Sequence, residues 1–350
     1  MRGEFVQILF HLNLHNDGKR PLRLVGVQLT SLDGEGGLLS RVELGEALLR
    51  RELRPVAWIV MRDRQSIAAA HRYRGLFRRA RGNTIIGVGE STSLTHQLQI
   101  TRPSVVPHRI RCVVAYDGGK ASAELPVRIH RQRAAMTLPV AGRWWVMAGH
   151  RFDEYHSMAI LSSQNFAYDL GVLGTGQATC DGDPTRNESY HANGKPILAV
   201  ADGEVVAVHD GVSENTPVGV RPAWQELLRR PLDLAGNHVV VRHGSGEYTA
   251  YIHLRPDLKV ERGQKVKRGQ VLGLCGNSGN SLETHLHFQL QDGPDLLTAN
   301  GLPVRFGDFT IHLAHLRIYV SADRPMPLPV RLVVEPGRAE GAVDLLKMLP

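Results

Sequence analysis

His285 and His287 stand two residues apart in the run THLHF (284–288), which reads as a β-strand. Successive strand side chains point to opposite faces, so both imidazoles fall on one face while Leu286 and Phe288 turn towards a core. In TAYIHL (249–254), Tyr251 and His253 are expected to repeat the pattern, with Ala250 and Ile252 turned the other way. Imidazoles that converge on one point can hold a divalent metal ion beside a water, the starting arrangement for metal-assisted hydrolysis. Two strand histidines taken alone describe surface residues or a satisfied hydrogen-bonding pair equally well. Upstream, Asp169 closes a short apolar strand in which Phe166 and Tyr168 alternate with Ala167 and Asp169. A lone strand aspartate ordinarily caps a turn or pairs with a basic residue. His150 and His156 lie further upstream, in a segment too polar for a core.

The elements that must position these groups are short strands and turns. Gly263, Gly269, Gly273, Gly276 and Gly279 punctuate brief apolar runs, and VERGQKVKRGQVLG (260–273) repeats a small unit that suggests tightly curled β-structure. A long polar loop is expected over 171–195 and a second insertion over 211–235, with a helical turn or two at Trp224 to Arg230. PILAVADGEVVAVHDG (196–211) reads as strand, turn at Asp202-Gly203, strand. GNHVVVRHGSGEYTAYIHL (236–254) reads as a hairpin around Gly244 to Gly246. Residues 1–130 are rich in β-strand segments, among them FVQILFHLNLHN, LRLVGVQLTSL and STSLTHQLQI, with a hairpin bend at Asp117-Gly118 and a short helix as the alternative over 66–80. Their histidines are scattered and form no constellation. Residues 131–146 start basic and contain Pro139 and Gly142, the character of a linker, with Trp144 and Trp145 as packing anchors. The expected architecture is mainly β: an antiparallel β-sandwich (Ig-like) accessory domain at 1–130, a linker at 131–146, a curled antiparallel sheet at 147–312 and a C-terminal extension at 313–350.

The 350 residues carry a formal net charge of +8, a balance that favours polyanions such as nucleic acid, anionic membranes or an acidic cell wall. Lys and Arg are spread along the chain without the aromatic interleaving of a nucleic-acid module, so no nucleic-acid partner is expected. No run reaches the roughly 20 apolar residues that span a bilayer. The first residues lack the basic, apolar, small-residue order of a secretion signal. Cys112, Cys180 and Cys275 are too few and too far apart for a disulfide framework or a metal knuckle.

From about 140 to 310 the ordered motifs FAYDL, PILAVADGEVV, GNHVVVRHG, YIHL, VKRGQVLGLCGNSGNS and THLHF resemble the lysostaphin/LytM-type zinc metalloendopeptidases, which cut peptide cross-links and bridges of bacterial peptidoglycan. The resemblance implies a Zn²⁺ cofactor and a zinc peptidase domain over 147–312. By position it implies Asp169 and His287 as zinc ligands, and His285 and His253 as catalytic histidines. The chain departs from the pattern at Asn165, where the first histidine ligand usually stands four residues before the aspartate. His156 then matches the missing ligand best, with His150 and His191 as alternatives. The resemblance also implies a location outside the cytoplasm and peptidoglycan or a similar peptide as partner. A catalytically degenerate relative, binding a wall or partner through the same fold, is the alternative that Asn165 keeps open. A lipoyl-type carrier barrel, which the V-x-x-G-Q repeat also suits, lacks a lysine at the hairpin tip.

Overall fold

The structure, a computed structural model, describes residues 6–55, 84–100, 107–149 and 162–344. The chain divides into two compact units, 1–130 and 131–350. The helix alternative over 66–80 falls outside the described residues.

In the first unit the strands are β1 (Val6–His15), β2 (Leu22–Leu32), β3 (Leu38–Gly45), β4 (Leu53–Pro55), β5 (Ile85–Ile86), β6 (Ser91–Ile100), β7 (Arg109–Tyr116) and β8 (Gly119–Pro126), with a short helix α1 (Glu46–Glu52). They form two antiparallel sheets, β1-β6-β4 and β3-β2-β7-β8, with β5 paired to β2. Alternation in the sequence decides which side chains meet. Leu12 and Leu94 from one sheet, and Leu24, Val27, Leu29, Ile110 and Cys112 from the other, close a single core that also takes in Leu49 of α1. The Asp117-Gly118 bend is realised, with Tyr116 opposite Gly119.

The second unit contains β9 (Trp144–Ala148), β10 (Tyr168–Gly171), β11 (Pro196–Leu198), β12 (Gly203–His209), helix α2 (Trp224–Arg229), β13 (Asn237–Arg242), β14 (Tyr248–Leu254), β15 (Lys265–Val266), β16 (Val271–Leu274), β17 (Leu286–Gln291), β18 (Gly301–Leu302), β19 (Phe309–His312), β20 (Arg317–Val320), β21 (Val333–Pro336) and β22 (Val343–Asp344). Its long sheet runs β15-β12-β13-β14-β17-β10-β9-β21-β19-β20-β22, with β18 beside β17, and β11 pairs with β16 separately. Every pairing is antiparallel except β20 with β22. The valines of β13 explain its continuous apolar run: Val239 and Val241 enter the large core, while Val240 joins Ala250, Ile252 and Leu296 in a smaller core on the other face.

Two expected boundaries shift. Met136, Leu138, Val140, Trp144 and Val146 are buried in the large core, so 131–146 packs as part of the second unit rather than linking to it. The buried Trp144 donates its indole N–H to Ala141 O at 3.0 Å. Beyond 313 the chain also returns to the sheet: β21 pairs with β9, and Val320, Leu328 and Val334 are core residues. Among the described residues no helix is long and apolar enough to cross a membrane. All three cysteines are free, and burial pushes the Cys112 thiol up to about 11.

His238 gives this unit an acid-sensitive point. Its ring is 2% exposed, stacks on His209 at 5.2 Å, and donates Nδ1–H to Gly236 O at 2.8 Å. Burial, with the neighbouring His209 adding to it, pushes its pKa down from 6.5 to about 4. A depressed histidine is neutral in the fold and charges more readily in the unfolded chain. Its contribution is complete above pH 6.5 and is lost as pH falls towards 4, in total about 3 kcal/mol. Urea unfolding at pH 7.5 and 4.5 should show His238→Asn losing about 2 kcal/mol less than wild type over that interval. Equal losses would show that His238 is not the group responsible.

Candidate active site

Three neighbouring strands, β14, β17 and β10, bring the candidate residues together. Asp169 lies directly opposite His287 in the β10–β17 register, so the two share a face. His285, two residues earlier, falls on the same face. His287 Nδ1 lies 3.2 Å and His285 Nε2 lies 3.4 Å from Asp169 Oδ1. Leu286 and Phe288 enter the core on the other side, as alternation requires.

His253 joins this group by breaking alternation. The register sets Ile252, not His253, opposite His287. Regular strand geometry would therefore turn His253 away with Tyr251, whose ring packs on Phe288 at 5.3 Å in the core. The pairing of Tyr251 with His253 expected from the sequence is thus corrected. His253 has φ 65°, in the left-handed region, and this swings its ring to 5.1 Å from that of His285 and 5.8 Å from that of His287. A non-glycine residue in this region costs on the order of 1 kcal/mol or more, so its surroundings must hold it there. Ser278 does so: its carbonyl accepts the His253 Nδ1–H at 2.8 Å.

The hydrogen-bond wiring sets the tautomers. On the site face of β17, His287 Nε2 meets Gln289 Oε1 at 2.9 Å, Gln289 Nε2 meets Gln291 Oε1 at 2.6 Å, and Gln291 Nε2 donates to Gly293 O at 2.6 Å. A backbone carbonyl only accepts, so the chain has one direction. His287 must carry a proton on Nε2, and Nδ1 is the ring nitrogen that faces Asp169. His285 Nδ1–H donates to Glu283 O at 2.8 Å, with Ser281 Oγ at 3.2 Å, which leaves its Nε2 facing Asp169. The environments also separate the two imidazoles that flank His287. Burial, reinforced by the neighbouring His285 and His287, holds His253 well below the ordinary histidine range. Burial opposes a charge on His285 too, but the Asp169 carboxylate outweighs it and raises that pKa.

The groups line a cleft of about 440 Å³ whose walls include Tyr190 from the first long loop and Val218, Arg221 and Leu234 from the second. Gly219 N donates to Leu282 O at 3.0 Å and Val218 N to Thr185 O at 2.8 Å, fixing one loop against the other. A web of buried asparagines holds the wall behind His253. Asn215 Nδ2 donates to Gly279 O and Ser281 O, Asn277 Nδ2 to Asn187 Oδ1, and Asn237 Nδ2 to Val212 O and Leu254 O. Sequence reasoning missed this web, because asparagines in polar loop segments look like exposed turn formers.

Of the alternatives for a first ligand, His150 and His156 lie outside the described residues. Gln164, not Asn165, lines the cleft, and Asn165 is buried. His191 turns to Asp181, with Nε2 3.3 Å from Oδ2, and packs against Gly174. Among the described residues no group of three or more His, Cys, Asp or Glu is placed to hold a metal. Asp169 and His287 nonetheless suit Zn²⁺ in donor type. Their 3.2 Å separation is close to the edge of about 3.3 Å for a tetrahedron with arms of about 2.0–2.1 Å.

Residues 188–303 match peptidase family M23, a span that holds His253, His285 and His287 and begins after Asp169. The second unit thus contains the region that matches this family. The chain is similar to the peptidoglycan DD-endopeptidase ShyA of Vibrio cholerae serotype O1, 41% identical over 90 residues, 24% of this chain and 20% of that protein. It is similar to the cell division protein DipM of Caulobacter vibrioides, 35% identical over 128 residues, 36% of this chain and 16% of that protein. The chain thus spans about a fifth or less of the length of these relatives. Among solved structures, the catalytic domain of lysostaphin from Staphylococcus simulans aligns with 18% identity and a TM-score of 0.26, covering 46% of this chain and 88% of that one.

Proposed function

We propose that the chain is a zinc-dependent endopeptidase that hydrolyses peptide cross-links or bridges of peptidoglycan, outside the cytoplasm. The observation that carries the reading is the meeting of Asp169, His253, His285 and His287 in one cleft of the unit that contains the match to peptidase family M23. Asp169 and His287 would hold the ion, with a third ligand proposed from His156. When bound, Zn²⁺ supplies Lewis acidity. The histidines handle the protons. His253, with Nδ1–H fixed on Ser278 O, offers its Nε2 lone pair and takes a proton from the attacking water. The water oxygen adds to the scissile carbonyl carbon. His285, anchored through Nδ1 on Glu283 O, carries a proton on Nε2 and delivers it to the leaving amine as the C–N bond breaks. No covalent enzyme intermediate is required, and no buried thiol takes part.

The experiment is digestion of purified peptidoglycan by the full chain with Zn²⁺, with a chelator, and with Zn²⁺ restored, the fragments being read by mass spectrometry. New amine and carboxyl ends that vanish with the chelator and return with zinc are expected. A zinc-loaded chain that binds peptidoglycan but releases no fragment would replace this reading with that of a non-cutting wall-binding relative.

Gln289 supplies a separate prediction about the ion. Gln289→Leu removes the acceptor of His287 Nε2–H and unfixes the ring and its tautomer. Partners of this kind are worth about 10- to 100-fold in metal affinity, and zinc titration against a competing chelator should show a loss of that size. Unchanged affinity would mean that Gln289 does not orient His287.

A further inference from the structure

The cleft that holds the histidines is also lined by a cation whose Nε–H meets no described group. Arg221 lies in the loop before α2 and lines the same cleft as Asp169, His253, His285 and His287. Its Nη1 donates to Asn280 Oδ1 at 3.3 Å, and Asn280 is also a cleft residue. Its Nε is buried and has no hydrogen-bond partner among the described residues. In a guanidinium the Nε–H and the Nη2–H beside it form a side fork that matches the two oxygens of a carboxylate, while Nη1 lies at the other end. Asn280 therefore steadies one end of Arg221, while no described group meets the Nε–H of its carboxylate-binding edge. A buried donor without a partner is uncommon in folded proteins and calls for a ligand or a water. Among the described residues, the two carboxylates that line the cleft are engaged with other groups. Asp169 faces His285 and His287, and Glu283 accepts from Thr179 Oγ1 at 3.1 Å.

We propose that Arg221 is a carboxylate anchor, and that the peptide taken by this cleft carries a free carboxylate beside the bond that is cut. This rests on the endopeptidase reading and narrows it. The substrate class is a branched or cross-linked peptide in which one residue next to the scissile amide keeps a carboxyl outside the peptide bond. An uncharged bridge, such as a run of glycines, would leave the fork empty.

The test uses two cross-linked peptides identical except that one bears a free carboxylate and the other a carboxamide next to the scissile bond. The zinc-loaded full chain should cleave the carboxylate peptide with a kcat/KM roughly 10- to 100-fold higher, mainly through KM, as a charged hydrogen-bonded pair provides. Arg221→Gln should bring that ratio close to one. Arg221→Lys, which keeps the charge but not the fork, should give an intermediate ratio. Unchanged melting curves of both variants would certify the fold. Equal cleavage of the two peptides by wild type, or a ratio that survives in Arg221→Gln, overturns the anchor and leaves the peptidase reading intact. Should neither peptide be cut, calorimetric binding to the zinc-free chain decides the anchor alone. Carboxylate-dependent binding lost in Arg221→Gln upholds it while the peptidase reading fails, and binding indifferent to the carboxylate or to Arg221 overturns it.

Discussion

His287→Ala should lower kcat/KM for cross-linked peptidoglycan peptides by on the order of 10⁴-fold while the second unit stays folded. The substitution removes one of only two described side chains that face each other as candidate ligands, Nδ1 of His287 being 3.2 Å from Asp169 Oδ1. It also leaves the buried Gln289 Oε1 without its donor, so a stability loss of about 1–3 kcal/mol is expected alongside. Because that loss complicates the result, Asp169→Asn is the companion variant. It keeps shape and volume, removes the charge, and should cost activity on a similar scale with a smaller change in melting temperature. Hydrolysis is read by separation of the fragments and folding by near-ultraviolet circular dichroism. Substantial activity in either folded variant would remove the residue substituted in it from the reaction.

Gly236→Ala should strike both stability and the position of His253. Gly236 has φ 61° and ψ −153°, a region open essentially only to glycine. A Cβ there would lie 2.3 Å from Ser278 Oγ and 2.5 Å from the Ser278 carbonyl carbon. Ser278 cannot move freely. Its carbonyl holds His253 Nδ1, its hydroxyl donates to Leu254 O at 2.7 Å, and the same oxygen accepts from Asn237 N at 2.9 Å. Backbone strain and overpacking together should cost about 3–5 kcal/mol. Hydrolysis should fall further than zinc affinity, since the displaced backbone carries His253 rather than Asp169 or His287. Gly244→Ala is the control, because nothing lies within 4 Å of its Cβ position. Unfolding and activity curves of Gly236→Ala that match those of Gly244→Ala would show that the Gly236–Ser278 contact positions nothing.

How far the site is legible in the sequence depends on which physical rule places each residue. Period-2 alternation is strict along β17, so the shared face of His285 and His287 and the inward turn of Leu286 and Phe288 can be read directly. Asp169 sits on a recognisable strand, but its place opposite His287 depends on which strands pair, and local sequence does not state that. His253 defeats alternation, because one left-handed residue reverses the face and histidine carries no signal for it. The buried asparagines are misread for a related reason. The side-chain amides that make Asn187, Asn215, Asn237 and Asn277 good turn formers also let them satisfy loop backbone inside the protein. Residues 131–146 read as a linker because Pro139 and Gly142 outweigh a sparse pattern of Met136, Leu138 and Val140, all buried here. Arg221 has no local signature at all, since its meaning comes from the Asn280 contact and the wall it lines.

The most direct measurement is anomalous diffraction at the zinc absorption edge from crystals of the zinc-loaded chain. One ion is expected in the cleft, bound at about 2.0–2.2 Å by an Asp169 oxygen and His287 Nδ1 with a third histidine completing the protein ligands, and with His253 and His285 beside it. An ion bound elsewhere, or His287 turned with Nδ1 away from it, would contradict a metal-assisted hydrolase at this site.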